Sequence, residues 1–417
     1  MQNLIIRGGR RLGGDVSIHG AKNSVLPLIC STVLLNGKSI LHNCPALTDV
    51  YAALDILKSL GIEWSMNGSD IEIISKHPEN FEISEELMLK MRSSVMFLGA
   101  ILSRTGRAVI SAPGGCRLGP RPIDIHISAL KKLGAVMRES GGRLFFEALN
   151  GLVGTEIALD FPSVGATENI IMAGALASGV TVIYNAAREP EIKDLTDFLI
   201  KCGADISGGG TDTVVIRGVN RLDCAEHTVI PDRIEAATYM AAAAATGGNI
   251  TLKSVIPNHF NAVSEVLRES GCEINCSDNE TIISAPSRLD AVKAVKTRVY
   301  PGFPTDAGPM ILSALSTARG TSVISESIFE NRFGFTNELS RFGARVKVFG
   351  KVAVVDGVNS LSAAQCNCTD LRGGAALIIA ALTANGESTV GNLCHIMRGY
   401  QDLSKNLRML GADITEM

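Results

Sequence analysis

Several features that would settle a function at once are missing from this sequence of 417 residues. No apolar run reaches the ~20 residues that a membrane-spanning helix needs, so no membrane partner is expected. Neither sign of charge is in surplus. Lys and Arg number 39 against 42 Asp and Glu, and the net charge of −3 excludes a general nucleic-acid binder. Any anion site must then be a local cluster of cations. The ten cysteines are scattered, mostly within apolar stretches, and neither Cys366 and Cys368 nor the seven histidines have zinc-like spacing. Reduced thiols and no metal are therefore expected. The start, Met1–Arg11, lacks the make-up of a signal peptide, which with the thiols predicts a cytoplasmic protein.

What is abundant is apolar. A hydrophobic content of 46% against 19% charged describes a chain with large cores. Its length exceeds one ordinary core and predicts two domains of about 200 residues each.

The chain also repeats itself. Six segments end alike, at Leu57-Lys-Ser-Leu-Gly61, Leu130-Lys-Lys-Leu-Gly134, Leu199-Ile-Lys-Cys-Gly203, Leu267-Arg-Glu-Ser-Gly271, Leu339-Ser-Arg-Phe-Gly343 and Leu407-Arg-Met-Leu-Gly411, with a period of roughly 70 residues. Glycine after a last apolar turn stops a helix, because it accepts the left-handed conformation there. Apolar, alanine-rich helices recur in step, over Val25–Leu35, Ser94–Leu102, Ile170–Ala177, Ile234–Ala245, Met310–Ala318 and Ala375–Ala384. A helix apolar all round belongs inside, and an amphipathic one belongs on the surface of a sheet. The pattern predicts an α/β protein of six similar β/α repeats, three per domain. The first domain spans 22–230, and the second joins 1–21 to 231–417. Asn3–Arg7 and Val16–Ile18 are expected to supply a strand pair to the last repeat. Crossings near 20–21 and 230–231 carry glycine or proline and suit a hinge. A single large domain is the alternative.

Polar residues cluster where the buried helices begin: Lys22-Asn23, Arg92-Ser93, Ser163-Val164-Gly165, Asp306 and Asp370-Leu-Arg372. Helix starts present unpaired N–H groups and favour anions. Ser163 and Asp306 are also ordinary capping residues. Lys22 and Arg92 are not, since the helix dipole disfavours a cation there, and an anionic ligand explains them. A further stretch, Ala112–Ile127, sets Cys116 among glycines and prolines, with Arg117 and Arg121 close by. Cations that near favour a thiolate. The same composition also fits a surface turn with an inert cysteine.

Taken together, these blocks resemble the UDP-N-acetylglucosamine 1-carboxyvinyltransferase family. The resemblance runs through Gly20-Ala-Lys22-Asn23, Pro113-Gly-Gly-Cys116, Gly119-Pro-Arg121-Pro-Ile-Asp124-Ile-His126, Phe161-Pro-Ser-Val-Gly-Ala-Thr-Glu-Asn169 and Asn185-Ala-Ala-Arg-Glu-Pro-Glu191. It continues through Tyr300-Pro-Gly-Phe-Pro-Thr-Asp306, Phe329-Glu-Asn-Arg332, Asp370-Leu-Arg372 and Arg398-Gly-Tyr400, and so covers the whole chain.

The resemblance implies a two-domain inverted, inside-out α/β barrel and a role in peptidoglycan synthesis. Enolpyruvate would pass from phosphoenolpyruvate to the 3-hydroxyl of UDP-N-acetylglucosamine by addition and elimination, with phosphate released and no cofactor. It implies Asp306 as the base and Cys116 as acid or covalent partner. Lys22, Asn23, Arg121 and Arg398 would hold phosphoenolpyruvate. The nucleotide sugar would touch Arg92, Arg121, Pro122, Ile123, Asp124, Ile125, Ser163, Val164, Gly165, Asp306 and Ile328. Asp49, Arg332, Asp370 and Arg372 would line the cleft.

Three departures from the family pattern lie near the expected site: Ala307-Gly-Pro-Met310, Gly334-Phe335 and Arg117-Leu118. They leave room for a paralogue acting on another nucleotide sugar. 5-Enolpyruvylshikimate-3-phosphate synthase shares the expected fold, but it usually has a Gly-Ser-Lys-Ser signature where this chain has Gly-Ala-Lys22-Asn23, and it lacks the Pro-Gly-Gly-Cys loop. A non-enzymatic repeat protein that binds nucleotide sugars is the remaining alternative.

Overall fold

The computed structural model describes residues 3–111 and 123–417, with only the backbone of Arg92 and Ser93. Cys116, Arg121 and Pro122 therefore lie outside the described residues. The chain divides into two compact units. One combines the residues up to His19 with Pro231–Met417, and the other runs from Gly20 to Ile230.

Within each unit one motif recurs. A short strand, Glu156–Ala158, leads into the helix Val164–Ala175 and then a parallel strand, Val180–Tyr184. An amphipathic helix, Pro190–Lys201, follows, and then a hairpin, Asp205–Ser207 and Thr213–Arg217. The last strand inserts between Asp205–Ser207 and Val180–Tyr184, and the same order is found in five four-stranded sheets. The sixth sheet has three strands, with only a bridge from Glu82 to Val109 where the short strand would lie.

The sequence explains this construction. Each of the six amphipathic segments ends at its glycine, and all six glycines have φ between 83° and 99°, where a Cβ is penalised. The apolar helices are buried on every side; in Gly308–Leu315 all eight residues are buried. Arg233–Thr246, Gly308–Leu315 and Leu371–Thr383 pack on one another, and alanines such as Ala241–Ala244 let their backbones approach. The sheets cover these helices with one face. In Val352–Asp356, Ala353 and Val355 are inaccessible while their neighbours are partly open. Each unit taken by itself is thus inside-out, with helices within and sheets without.

One expectation needs correction. Leu4–Arg7 does join the last repeat, between Glu387–Gly391 and Asp413–Glu416. The second N-terminal strand, Gly13–Ser17, instead runs parallel to Asn249–Lys253 in the fourth repeat. The edge of that sheet is open because the strand preceding the helix Arg233–Thr246, Glu226–Thr228, pairs with Gly37–His42 in the other unit. The first crossing falls at His19–Gly20, near the expected place. Ala21 N–H already donates to Ile230 O at 2.7 Å, and a Cβ on Gly20 would run into the Asn43 carbonyl.

Candidate functional site

In the unit from Gly20 to Ile230, Lys22 opens the helix Lys22–Ser31, whose cap, Ala21, makes no side-chain bond. The Lys22 ammonium is buried and meets Asp49 Oδ2 at 2.6 Å. A cation at this helix start thus has a protein partner as well as any ligand. Asp49 lies in the first turn of Thr48–Ser59, where a carboxylate suits the dipole. Expected to line a cleft, Asp49 is instead buried beneath Lys22, at 1% exposure. Asn23, on the same turn as Lys22, is exposed.

Ser163 caps Val164–Ala175, its hydroxyl accepting from Ala166 N–H at 3.3 Å. Val164 and Gly165, at the open start of that helix, are partly exposed. A Cβ on Gly165 would lie 3.2 Å from His126 Cε1, so glycine lets the helix start rest on the imidazole. His126 belongs to Asp124–Lys132 and is buried. Asn169 fixes its tautomer. Asn169 Oδ1 accepts from Gly99 N–H at 2.6 Å, so Nδ2 must donate, at 2.9 Å to Val95 O and 2.8 Å to His126 Nδ1. The ring proton then sits on Nε2. Burial lowers the His126 pKa to about 4, which keeps the ring neutral. Ile123 and Ile125 are half-buried beside the exposed Asp124.

The other unit holds the densest charge cluster. Asp306 stands just before Gly308–Leu315 but does not cap it; that position is Ala307. Its carboxylate takes Arg332 on Oδ1 and Arg372 on Oδ2, the latter with Nη2 at 3.2 Å. Arg372 Nε lies 3.3 Å from the same Oδ2, and Arg332 Nε donates to Thr305 O at 3.1 Å. Both arginines are 3% exposed, while the Asp306 side chain keeps 26%. They underlie the carboxylate rather than line a surface. Burial opposes charge on Arg372, but Tyr400, Asp306 and Asp232 outweigh it and raise its pKa. Its guanidinium stacks 5.2 Å from the centre of the Tyr400 ring, and among the described residues its Nη1 has no hydrogen-bond partner. Asp370 caps Leu371–Thr383, accepting from Arg372 and Gly373 N–H. Arg398 is half-buried at the end of the short helix Leu393–Arg398.

Sequence reasoning missed Glu326. This carboxylate is 3% exposed and orders the surroundings of Asp306. It accepts from the hydroxyls of Thr297 at 3.0 Å and Thr305 at 2.7 Å, and from the N–H groups of Ile328 at 2.6 Å and Phe329 at 3.1 Å. Its partners come from three stretches of chain, so no local motif announces it. Ile328, which it positions, is half-buried. Of the departures from the family pattern, Ala307–Met310 and Phe335 are buried packing residues, and Gly334 is exposed. The expected roles of Cys116, Arg121 and Pro122, and of the Arg92 side chain, fall outside what the structure describes. Among the described residues no helix is long and apolar enough to cross a membrane, and no three His, Cys, Asp or Glu side chains could hold a metal.

Known proteins give this geometry its setting. Residues 6–407 match the family described as EPSP synthase (3-phosphoshikimate 1-carboxyvinyltransferase). The chain is 48% identical to UDP-N-acetylglucosamine 1-carboxyvinyltransferase 2 of Caldanaerobacter subterraneus subsp. tengcongensis, over 100% of both chains. It is 45% identical to UDP-N-acetylglucosamine 1-carboxyvinyltransferase of Geobacter metallireducens, over 99% of each. Among solved structures it is similar to the enolpyruvyl transferase NikO from Streptomyces tendae, with a TM-score of 0.90 and 26% identity over 100% of this chain and 99% of that one. EPSP synthase from Acinetobacter baumannii, with a TM-score of 0.74 and 20% identity over 100% and 99%, shares the fold.

Proposed function

Since the chain belongs to the EPSP synthase family, in the branch of the UDP-N-acetylglucosamine 1-carboxyvinyltransferases, we propose that it transfers enolpyruvate from phosphoenolpyruvate to UDP-N-acetylglucosamine. The observation that carries this reading is the 48% identity across the whole of both chains. The proposed place of the reaction is the start of peptidoglycan synthesis.

In the addition step the sugar 3-hydroxyl oxygen bonds to the enol carbon of phosphoenolpyruvate, and the neighbouring methylene gains a proton. In the elimination step the bond to phosphate breaks, a proton leaves the new methyl group, and the enol ether forms. Both steps require an acid and a base within hydrogen-bond reach. Asp306 is the proposed base. Its two guanidinium partners fix the carboxylate, and the exposed part of the side chain stays open to a hydroxyl. Cys116 is the proposed acid or covalent partner, the role implied by the resemblance of its Pro113-Gly-Gly-Cys116 loop.

Lys22, Asn23, Arg121 and Arg398 are proposed to hold the phosphate and carboxylate of phosphoenolpyruvate, oxyanions that guanidinium groups pair well. Arg372 Nη1, which has no hydrogen-bond partner among the described residues, offers one more buried donor to an oxyanion beside Asp306. The diphosphate of the sugar nucleotide is proposed to lie beside the Ser163–Gly165 backbone, toward the N–H groups of Val164 and Gly165, at a helix start suited to phosphate. Arg92, Arg121–Ile125 and Ile328 would complete the nucleotide-sugar contacts. The test is mass spectrometry of the nucleotide sugar after incubation with both substrates. A gain of one enolpyruvyl ether supports the reading; an unchanged sugar nucleotide overturns it.

A further inference from the structure

Beneath the turn that carries Lys22 and Asn23 lies a buried relay of polar side chains. Ser24, the third residue of Lys22–Ser31, is inaccessible to solvent and donates its hydroxyl to Asp194 Oδ2. Asp194 Oδ1 is met by His227 Nε2 at 2.7 Å, and His227 Nδ1 lies 3.1 Å from Lys201 Nζ. An ammonium can only donate, so Nδ1 accepts and the ring proton must sit on Nε2, pointing at Asp194. Asp194 and His227 are 4% and 6% exposed, and Phe198 packs against the imidazole with ring centres 5.5 Å apart. Asp194 Oδ2 also accepts, weakly, from Ile230 N–H at 3.5 Å. Ile230 O in turn takes the N–H of Ala21, the residue before the helix.

A buried carboxylate is tolerated only with its bonds satisfied, and once satisfied it holds its donors in fixed places. Here those donors are the first turn of one helix and the chain at residue 230. The helix start has no side-chain cap of its own. Asp194 from one side and the Lys22–Asp49 pair from the other therefore help to fix its placement, beside the Ala21–Ile230 backbone bond.

We propose that Ser24, Asp194 and His227 form a positioning relay that sets where Lys22 and Asn23 meet phosphoenolpyruvate. The relay touches no substrate; it acts through the first turn of the helix. This rests on the reading that Lys22 and Asn23 bind phosphoenolpyruvate. The relay makes a prediction specific to its chemistry. Glutamine at 227 offers an N–H to Asp194 and a carbonyl to Lys201, so it can replace the imidazole, whereas leucine offers neither.

The experiment compares Ser24→Ala, His227→Leu and His227→Gln with the parent chain, reading KM for each substrate, the melting temperature and amide hydrogen exchange at Ser24 and Val25. Ser24→Ala and His227→Leu should raise KM for phosphoenolpyruvate about 5- to 10-fold, since small misplacements of binding groups are expensive, and leave KM for the sugar nucleotide within about 2-fold. Both should speed exchange at Ser24 and Val25, and His227→Gln should restore both readouts. A lowered melting temperature with an unchanged KM for phosphoenolpyruvate overturns the relay, as does His227→Gln behaving like His227→Leu. If His227→Leu does not fold, Ser24→Ala decides. If the parent chain itself lacks transfer, the functional reading fails, and the exchange rates still decide whether the relay fixes the turn.

Discussion

Arg372 holds one oxygen of Asp306 at 3.2 Å while being itself almost fully buried, so the carboxylate is fixed from that side while its side chain keeps 26% exposure. Such a group can take a proton where it is exposed. Asp306→Asn keeps the shape and removes the base. It should lower kcat by about 10²- to 10⁴-fold, the usual contribution of a positioned base, with nucleotide-sugar binding retained. Steady-state kinetics and calorimetric titration check this; a kcat within a few-fold of the parent chain would remove Asp306 from the proposed role.

Lys22 and Asp49 separate stability from function. Lys22→Met takes away the ammonium that the buried Asp49 faces at 2.6 Å, and breaking a buried pair from one side costs about 3 kcal/mol or more. Adding Asp49→Asn should recover most of that stability, because no buried carboxylate is left facing the gap. Turnover should stay lost in both variants, since the ammonium is still missing. Denaturant titration and phosphate release are the two measurements. Recovery of turnover along with stability would leave Lys22 a purely structural residue.

His126 should imprint a pH dependence on stability. Its value in the folded protein is about 4, below the ordinary 6.5, because burial disfavours the charged ring. As pH falls, the unfolded chain therefore takes up the proton first. Above pH 6.5 the residue causes no loss, and between about 6.5 and 4 it destabilises the fold progressively, by up to about 3 kcal/mol. His126→Gln should flatten the stability curve in that window when unfolding is followed at several pH values. An equal slope in both proteins would contradict the buried neutral ring.

Cys116 is expected to be the thiol that reacts with the epoxide phosphonate fosfomycin. The other nine cysteines are free, and most are buried. Burial pushes Cys44, Cys202, Cys366 and Cys368 up to about 12, which suppresses the thiolate. Cys276 and Cys394 are exposed and serve as internal controls. Peptide mapping should find one adduct, at Cys116, while a general alkylating agent also marks the two controls. Adducts on Cys276 or Cys394 with the phosphonate would show that simple exposure decides.

Much of the fold could be read from the sequence, because its signals are local. A helix stop is written in one glycine, and all six occupy the conformation that only glycine adopts easily. The buried helices announce themselves by lacking a polar face. The fate of the second N-terminal strand is not legible, because Gly13–Ser17 pairs with Asn249–Lys253, more than two hundred residues away, and alternation does not name a partner. The site divides in the same way. Asp306, Arg332 and Arg372 stand in recognisable blocks, and the structure joins them. Glu326 and the Ser24–Asp194–His227 relay depend on side chains brought together by packing, and no spacing in the sequence encodes them. The sequence shows Lys22 as a cation at a helix start; the carboxylate it pairs with is Asp49, on a different helix.

The central claim is the choice of acceptor, and it is tested most directly by phosphate release from phosphoenolpyruvate with each candidate supplied in turn. UDP-N-acetylglucosamine should support continuous, stoichiometric release of phosphate, and shikimate 3-phosphate should support none above background. Release with shikimate 3-phosphate, or with neither acceptor, would contradict the account.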